Sequence, residues 1–299
     1  MEYTRKESIY PIILNQNNLV PSTNNNEYVF TFPQGSISFK DSRIALNKIS
    51  LFYSWFNISV ANRNNTFTID HPEGAGTTTL NITVPDGFYS VDSLNSYIQS
   101  QLIANGLYLV DTAGDFVYYI ELVTNPTYYA IQLNSYAIPT ALPAGWTNPA
   151  AYTLPTLANQ RPQLTVLAND FRDFLGFNAG TYPAAATGTD FTKLSDFTPQ
   201  VSKVQSIIVQ TDFLDNKFAN PSSNLYSFSP SGVEFGANIT SEPAEHSYID
   251  IKDGDYTSLN IRLVTQDYRA IKLNDTNLII EVLIKEIEHR PHEKHIRHY

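Results

Sequence analysis

Apolar residues recur at every second position along much of this chain. Leu259, Ile261 and Leu263 alternate with Asn260 and Arg262. Leu278, Ile280, Val282 and Ile284 share one parity, with Glu281 and Lys285 on the other. A period of two is that of a strand with one covered face. Turn-forming groups such as KDGDY and KLNDTN separate these runs. Near the start, Tyr28, Phe30 and Phe32 lie on one parity and Ile37 and Phe39 on the other, so Pro33-Gln34-Gly35 predicts a corner. Short strands are expected over 66–70 and 77–84, and a hairpin over 116–123 and 128–134 across the turn 124–127. The period becomes clearly helical in one place. Ser90 is a good N-cap, Val91, Leu94, Ile98 and Leu102 line one face, Asp92 suits the first turn, and Asn105-Gly106 supplies the stop. FRDFLGFNAGTYP (171–183) is an apolar island with room for a short helical turn. About ten to twelve short strands and one substantial helix predict an all-β sandwich or barrel.

The run RIALNKISLFYSWFNIS (43–59) departs from simple alternation. Ile44 and Leu46 share a face, but past Lys48 the apolar set Ile49, Leu51, Tyr53 and Trp55 changes parity. A bulge near Asn47-Lys48 predicts that shift, because one extra residue re-aims every side chain after it. Phe52, Phe56 and Ile58 keep the first parity, so 51–58 is apolar on both sides. A half-exposed antiparallel strand would show water one polar face. A second layer therefore covers this segment, either more of the same chain or a neighbouring copy. Phe52, Tyr53, Trp55 and Phe56 are the candidate subunit-interface residues.

Two stretches lack periodicity. Residues 1–27, Asn-rich toward their end, predict an extended or disordered arm. Residues 137–200 are broken by Pro139, Pro143, Pro149, Pro155 and Pro162 and read as a loop-rich region.

Composition narrows the function classes. The 299 residues allow one large β domain or two smaller ones. Charged residues are 16% against a usual quarter, while the chain has 19 Tyr and 17 Phe, a balance suited to strands and contact surfaces. Net charge is −10 and pI about 5.0, against nucleic-acid binding, which needs clustered Lys and Arg. With no Cys, disulfides, thiol nucleophiles and thiolate metal sites are out. The polar start MEYTRKESIY does not read as a signal peptide, and no apolar run reaches a membrane span.

Reactive motifs are missing: no Gly-x-Ser-x-Gly, Walker-type loop, dinucleotide fingerprint or EF-hand spacing occurs. DTAG (111–114) reads as a turn. His289, His292, His295 and His298 recur in the tail EHRPHEKHIRHY, four of the six His in the chain. Pro291 opposes the helix a two-His metal site would need, so the tail reads as exposed or partner-docking. No catalytic, cofactor-binding or metal residue is assigned. Asn57, Asn64, Asn81, Asn238 and Asn274 head N-x-Ser/Thr sequons that chance supplies in so Asn-rich a chain. The echo between DGFYSVDSLN (86–95) and DGDYTSLN (253–260) is attributed to turn chemistry.

Five stretches in order carry a resemblance. They are FTFPQGSISFKDSRIALNKISLFYSWFNIS (30–59), PDGFYSVDSLNSYIQ (85–99), FLGFNAGTYP (174–183), LYSFSPSGVEFGANI (225–239) and DGDYTSLNIRLVTQDYRAIKLNDTNLIIEVLI (253–284). Together they resemble the penton proteins of virophages and Polinton-like double-stranded DNA viruses. The resemblance implies a single jelly roll, a homopentamer at the five-fold vertices of a virion assembled inside the host cell, and surrounding trimers of major capsid protein. It implies no catalytic residues, and an inserted upper region for which 137–200 is the candidate. The expected division is an arm 1–27, a jelly roll from 28–136 and 201–288, the insertion 137–200, and a tail 289–299. Two other classes stay open: a carbohydrate- or receptor-binding β-sandwich, since tyrosine rings stack on sugars, and a cupin-like enzyme. The enzyme would need converging His and carboxylate ligands, and only His71 and His246 lie outside the tail.

Overall fold

The computed structural model describes residues 3–291, with side chains over 7–287. The chain divides into two compact units, residues 1–55 with 204–299 and residues 56–203.

The first unit is a jelly roll. Its strands are β1 (Tyr3–Asn15), β2 (Glu27–Thr31), β3 (Arg43–Phe52), β4 (Ile207–Thr211), β5 (Asn224–Phe228), β6 (Asn238–Ser241), β7 (Ser258–Thr265) and β8 (Leu278–Pro291). One antiparallel sheet runs β1-β8-β3-β6, the other β5-β4-β7-β2. This is the strand order of an eight-stranded roll made of two Greek keys. Alternation explains which residues enter the core. Leu259, Ile261 and Leu263 on β7, Ile280, Val282 and Ile284 on β8, and Ile207 and Val209 on β4 are buried. An aromatic group closes one part of it, with Phe39 stacked on Phe213 at 5.9 Å and Tyr256 tilted against Phe213 at 4.8 Å. Phe39 and Tyr256 come from the short antiparallel pair Ile37–Phe39 and Gly254–Tyr256. The predicted corner is a turn closed by the Gly35 N–H to Phe32 carbonyl bond, with Gly35 at φ +86°.

The phase shift in β3 is a bulge at the expected place. Glu281 faces Lys48 and Val282 faces Leu46, leaving Asn47 as the extra residue. Ile44, Leu46, Ile49 and Leu51 are all buried as a result. The other neighbour of β3 changes at the same point: Ser241 pairs with Ile49, Ile249 with Ile44. Between them Glu242 meets Lys48 at 2.6 Å and His246 Nε2 lies 2.7 Å from Asn47 Oδ1.

Residues 1–27 differ from the expected arm. Tyr3–Asn15 pairs with β8 along its whole length. Ile12 and Leu14 alternate into the core, an apolar pattern that the neighbouring Asn-rich stretch obscures. Among the described residues of this stretch only 16–26 lacks a strand, beginning with a 3₁₀ turn at Gln16–Asn18 capped by Asn15.

The second unit has its own core. A four-stranded sheet orders Gly180–Tyr182, Gln163–Val166, Thr66–Glu73 and Gly76–Thr83, and a three-stranded sheet orders Phe191–Leu194, Ala130–Ser135 and Ile120–Asn125. Helix α1 (Val91–Ala104) forms as its pattern predicts. Ser90 Oγ accepts the Ser93 N–H, and Val91, Leu94, Ile98 and Leu102 are buried. The apolar island gives α2 (Phe171–Leu175), whose Phe171 stacks on Phe67 at 4.8 Å and on Phe174 at 5.9 Å.

The boundary between units falls at Phe56, not at 137. The strands over 66–83, α1 and the hairpin over 120–135 bury Phe67, Leu94, Leu122 and Leu133 in one cluster with Leu164 and Phe174 of the proline-rich region. That region is therefore part of a larger inserted unit lying between β3 and β4. Its two chain ends are tied together by Asn57. The Asn57 amide donates to the carbonyls of Tyr89 at 2.7 Å and Val201 at 2.9 Å, and its Oδ1 accepts the Tyr89 N–H at 2.8 Å. Asn64 extends the brace, donating to the Asn57 carbonyl at 2.7 Å.

Candidate functional site

The strand expected to run to residue 59 ends at Phe52. Tyr53 still exchanges backbone bonds with the chain before β6, its N–H to the Ala237 carbonyl and its carbonyl from the Gly236 N–H, both 2.9 Å. Past it the segment is irregular, and Asn274 Nδ2 donates to the Ser54 carbonyl at 2.6 Å.

The four aromatic residues of this segment separate into two pairs. Tyr53 and Trp55 stack with ring centroids 4.2 Å apart and are 6% and 4% exposed. Their own chain encloses them, which takes them out of the candidate interface and into the interior. Phe52 and Phe56 are half-buried. The second layer that 51–58 demanded is thus largely more of the same chain: Leu51, Tyr53, Trp55, Asn57 and Ile58 are all buried.

Exposed apolar surface lies elsewhere on the first unit. Strand β1 is the last strand of its sheet, paired on one side only. Ile9, Tyr10 and Ile13 on it are each about half exposed, as is Ile279 on β8 opposite Asn15. A long edge strand is a ready template for another chain. Pro11, at its centre, removes one donor, a placement proteins confine to edges. Sequence reasoning missed this strip because β1 was not recognised as a strand.

The residues considered for chemistry do not converge. His71 belongs to the second unit and is buried, while His246 belongs to the first. Among the described residues no three His, Asp or Glu side chains gather as metal ligands, and no helix is long and apolar enough to cross a membrane. Asp111 of DTAG makes a turn, its Oδ1 accepting the N–H groups of Ala113 at 2.8 Å and Asp115 at 2.9 Å. Asn57 and Asn64 of the sequons are buried braces, whereas Asn81, Asn238 and Asn274 are exposed. The side chains of the four tail histidines lie outside the described residues.

A polar row on the second unit had no signal in the alternation beyond its outward parity. On the outer face of the three-stranded sheet, Asn125 donates to Gln132 at 3.0 Å, Gln132 to Asn134 at 2.9 Å, and Asn134 to Glu121 at 3.0 Å. Tyr136 donates its hydroxyl to the same Glu121 oxygen at 2.7 Å, and burial together with that carboxylate pushes the phenol up to about 12.

No family model matches the sequence, and no curated protein matches it. Among solved structures the chain is similar to the crystal structure of the mavirus penton protein, at a TM-score of 0.47 and 10% identity, over 96% of this chain and 100% of that one.

Proposed function

We propose that this chain is a structural capsid protein, the penton subunit at the five-fold vertices of an icosahedral virion. Five copies form the capsomer, major capsid protein trimers surround it, and assembly takes place inside the host cell. The role is architectural rather than catalytic. Two lines support the reading: the ordered motifs that resemble pentons across 30–284, and a roll of eight strands. The observation that carries it is the apolar strip on that roll. A roll that encloses its own core still leaves Ile9, Tyr10, Ile13 and Ile279 half exposed along one flank. Exposed apolar strips of this kind mark contact surfaces. A five-fold ring is a heterologous arrangement in which each copy offers two different flanks. Phe52 and Phe56, half-buried, remain candidates for the same contact.

The test is a solution mass over a range of concentrations, paired with negative-stain images and co-expression with a major capsid protein. Five-fold rings, or a monomer that joins shells at their vertices, are expected. A stable dimer or tetramer that stays out of shells would overturn the reading.

A further inference from the structure

The outer face of the three-stranded sheet is built unlike an ordinary solvated strand face. By register it presents Glu121, Val123 and Asn125, then Ala130, Gln132, Asn134 and Tyr136, then Thr192 and Leu194. Its polar members form one directional relay, Asn125 to Gln132 to Asn134 to Glu121, with Thr192 Oγ1 also donating to Asn134 Oδ1 at 3.0 Å. Asn134, at the centre, is 6% exposed. The relay fixes the plane of each amide and uses only part of its capacity. Among the described residues Gln132 Nε2 makes one hydrogen bond, Asn125 Oδ1 makes none, and Glu121 accepts through Oε1 alone. Donors and acceptors of set orientation thus remain along the row, with the small apolar side chains of Val123, Ala130 and Leu194 between them.

We propose that this face binds a neutral oligosaccharide through Glu121, Asn125, Gln132, Asn134 and Tyr136. Hydroxyl groups are both donors and acceptors, and planar amides and carboxylates held in place meet them without ordering cost at the moment of binding. From the level of Asn125, opposite Ala130, to Tyr136 the row spans roughly 20 Å at about 3.4 Å per residue, enough for a short run of sugar rings. Aromatic surface is at hand. Tyr136 ends the row, and Tyr128 and Tyr129, 69% and 76% exposed, occupy the turn that joins its two main strands. Tyr129 holds φ +49° there, a conformation bulky residues rarely adopt and one often kept at ligand contacts. Charge selects the class. Among the described residues the face carries Glu121 and no cation. Lys193 has the opposite parity and pairs with Asp196 at 2.6 Å, while Asp190 accepts the Ala137 N–H beside Tyr136. Sialylated, sulfated or phosphorylated ligands would meet only negative charge here.

This inference stands apart from the vertex reading, since the isolated chain can be tested whatever its oligomeric state. The full chain is applied to a printed array of neutral and acidic oligosaccharides, and the strongest neutral hit is titrated in solution. Hits among neutral glycans are expected, with affinity falling tenfold or more in Gln132→Ala and in Tyr136→Phe and unchanged in Phe218→Ser on the first unit. Should Gln132→Ala lose the native Trp146 fluorescence, Asn125→Ser, at the end of the row, takes its place. An array without neutral hits, hits confined to acidic glycans, or variants that bind as well as the parent would each overturn the proposal.

Discussion

His71 makes the second unit sensitive to acid by an amount the structure sets. The ring is 1% exposed in the strand Thr66–Glu73, and its Nδ1 lies 3.1 Å from the Pro72 carbonyl. A carbonyl only accepts, so the proton sits on Nδ1 and Nε2 is a buried lone pair with no donor among the described residues. Tyr152 packs edge-on at 5.6 Å and shares the Pro72 carbonyl through its own hydroxyl. Among the neighbouring acids, Glu73 is engaged by Thr78 and Asp70 by Thr79. Burial therefore pushes the imidazole down to about 4 from 6.5, with the Pro72 bond opposing only in part. Because the folded value lies below the unfolded one, the unfolded chain takes up the proton first. Stability is intact above about pH 6.5, is lost progressively below it, and stops falling near pH 4. A gap of about 2.5 units at 1.36 kcal/mol each is worth about 3 kcal/mol. The assay is urea unfolding at pH 7, 5.5 and 4 of the parent and His71→Phe. Both carry Trp55→Phe, so that Trp146, packed against the second unit's core, reports alone. The parent should lose about 3 kcal/mol more than His71→Phe between pH 7 and 4. A difference between the two proteins that does not change with pH would refute the reasoning.

Three further outcomes follow from packing. Asn57→Ala removes three part-buried hydrogen bonds and should cost the second unit about 2–4 kcal/mol in the same urea assay, a loss under about 1 kcal/mol arguing against the brace. Gly176 ends α2 at φ +77°, and a Cβ there would lie 2.3 Å from the Phe197 carbonyl oxygen. Gly176→Ala should therefore leave Trp146 in a non-native environment or lower the unfolding midpoint sharply, and a native-like melt would show that the loop at Phe197 yields. Trp55→Asp places an unpaired charge in the interior and should abolish folding of the first unit, read by near-ultraviolet circular dichroism. Phe52→Asp, at a half-buried site, should fold and impair assembly instead.

What alternation and capping encode was legible in the chain. The phase change at Lys48 located the bulge, because the parity of Ile49 and Leu51 cannot be reconciled with Ile44 and Leu46 in any unbroken strand. Ser90, the apolar stripe of α1 and Asn105-Gly106 fixed the helix. The division into units was not legible, since the strands over 66–83 look like any others until their partners are known, and prolines mark breaks rather than borders. The fate of Tyr53 and Trp55 was equally closed. Residues apolar on both parities need cover, and composition does not say whose atoms supply it. The amide row escaped notice for a related reason: Gln132, Asn134 and Glu121 become one network only when Asn134 and Glu121 face each other across two strands.

The brace at Asn57 bears on how such a chain could arise and be rebuilt. Because one amide reaches both Tyr89 and Val201, the polypeptide leaves and re-enters residues 56–203 at nearly the same spot. Once that segment has folded, joining β3 to β4 closes a loop of effectively a dozen residues instead of well over a hundred. Nearly four doublings of length, at about 0.6 kcal/mol each, are thereby spared. A junction that spares the scaffold this closure cost is the natural place to graft a foreign domain or trim the native one to a short turn.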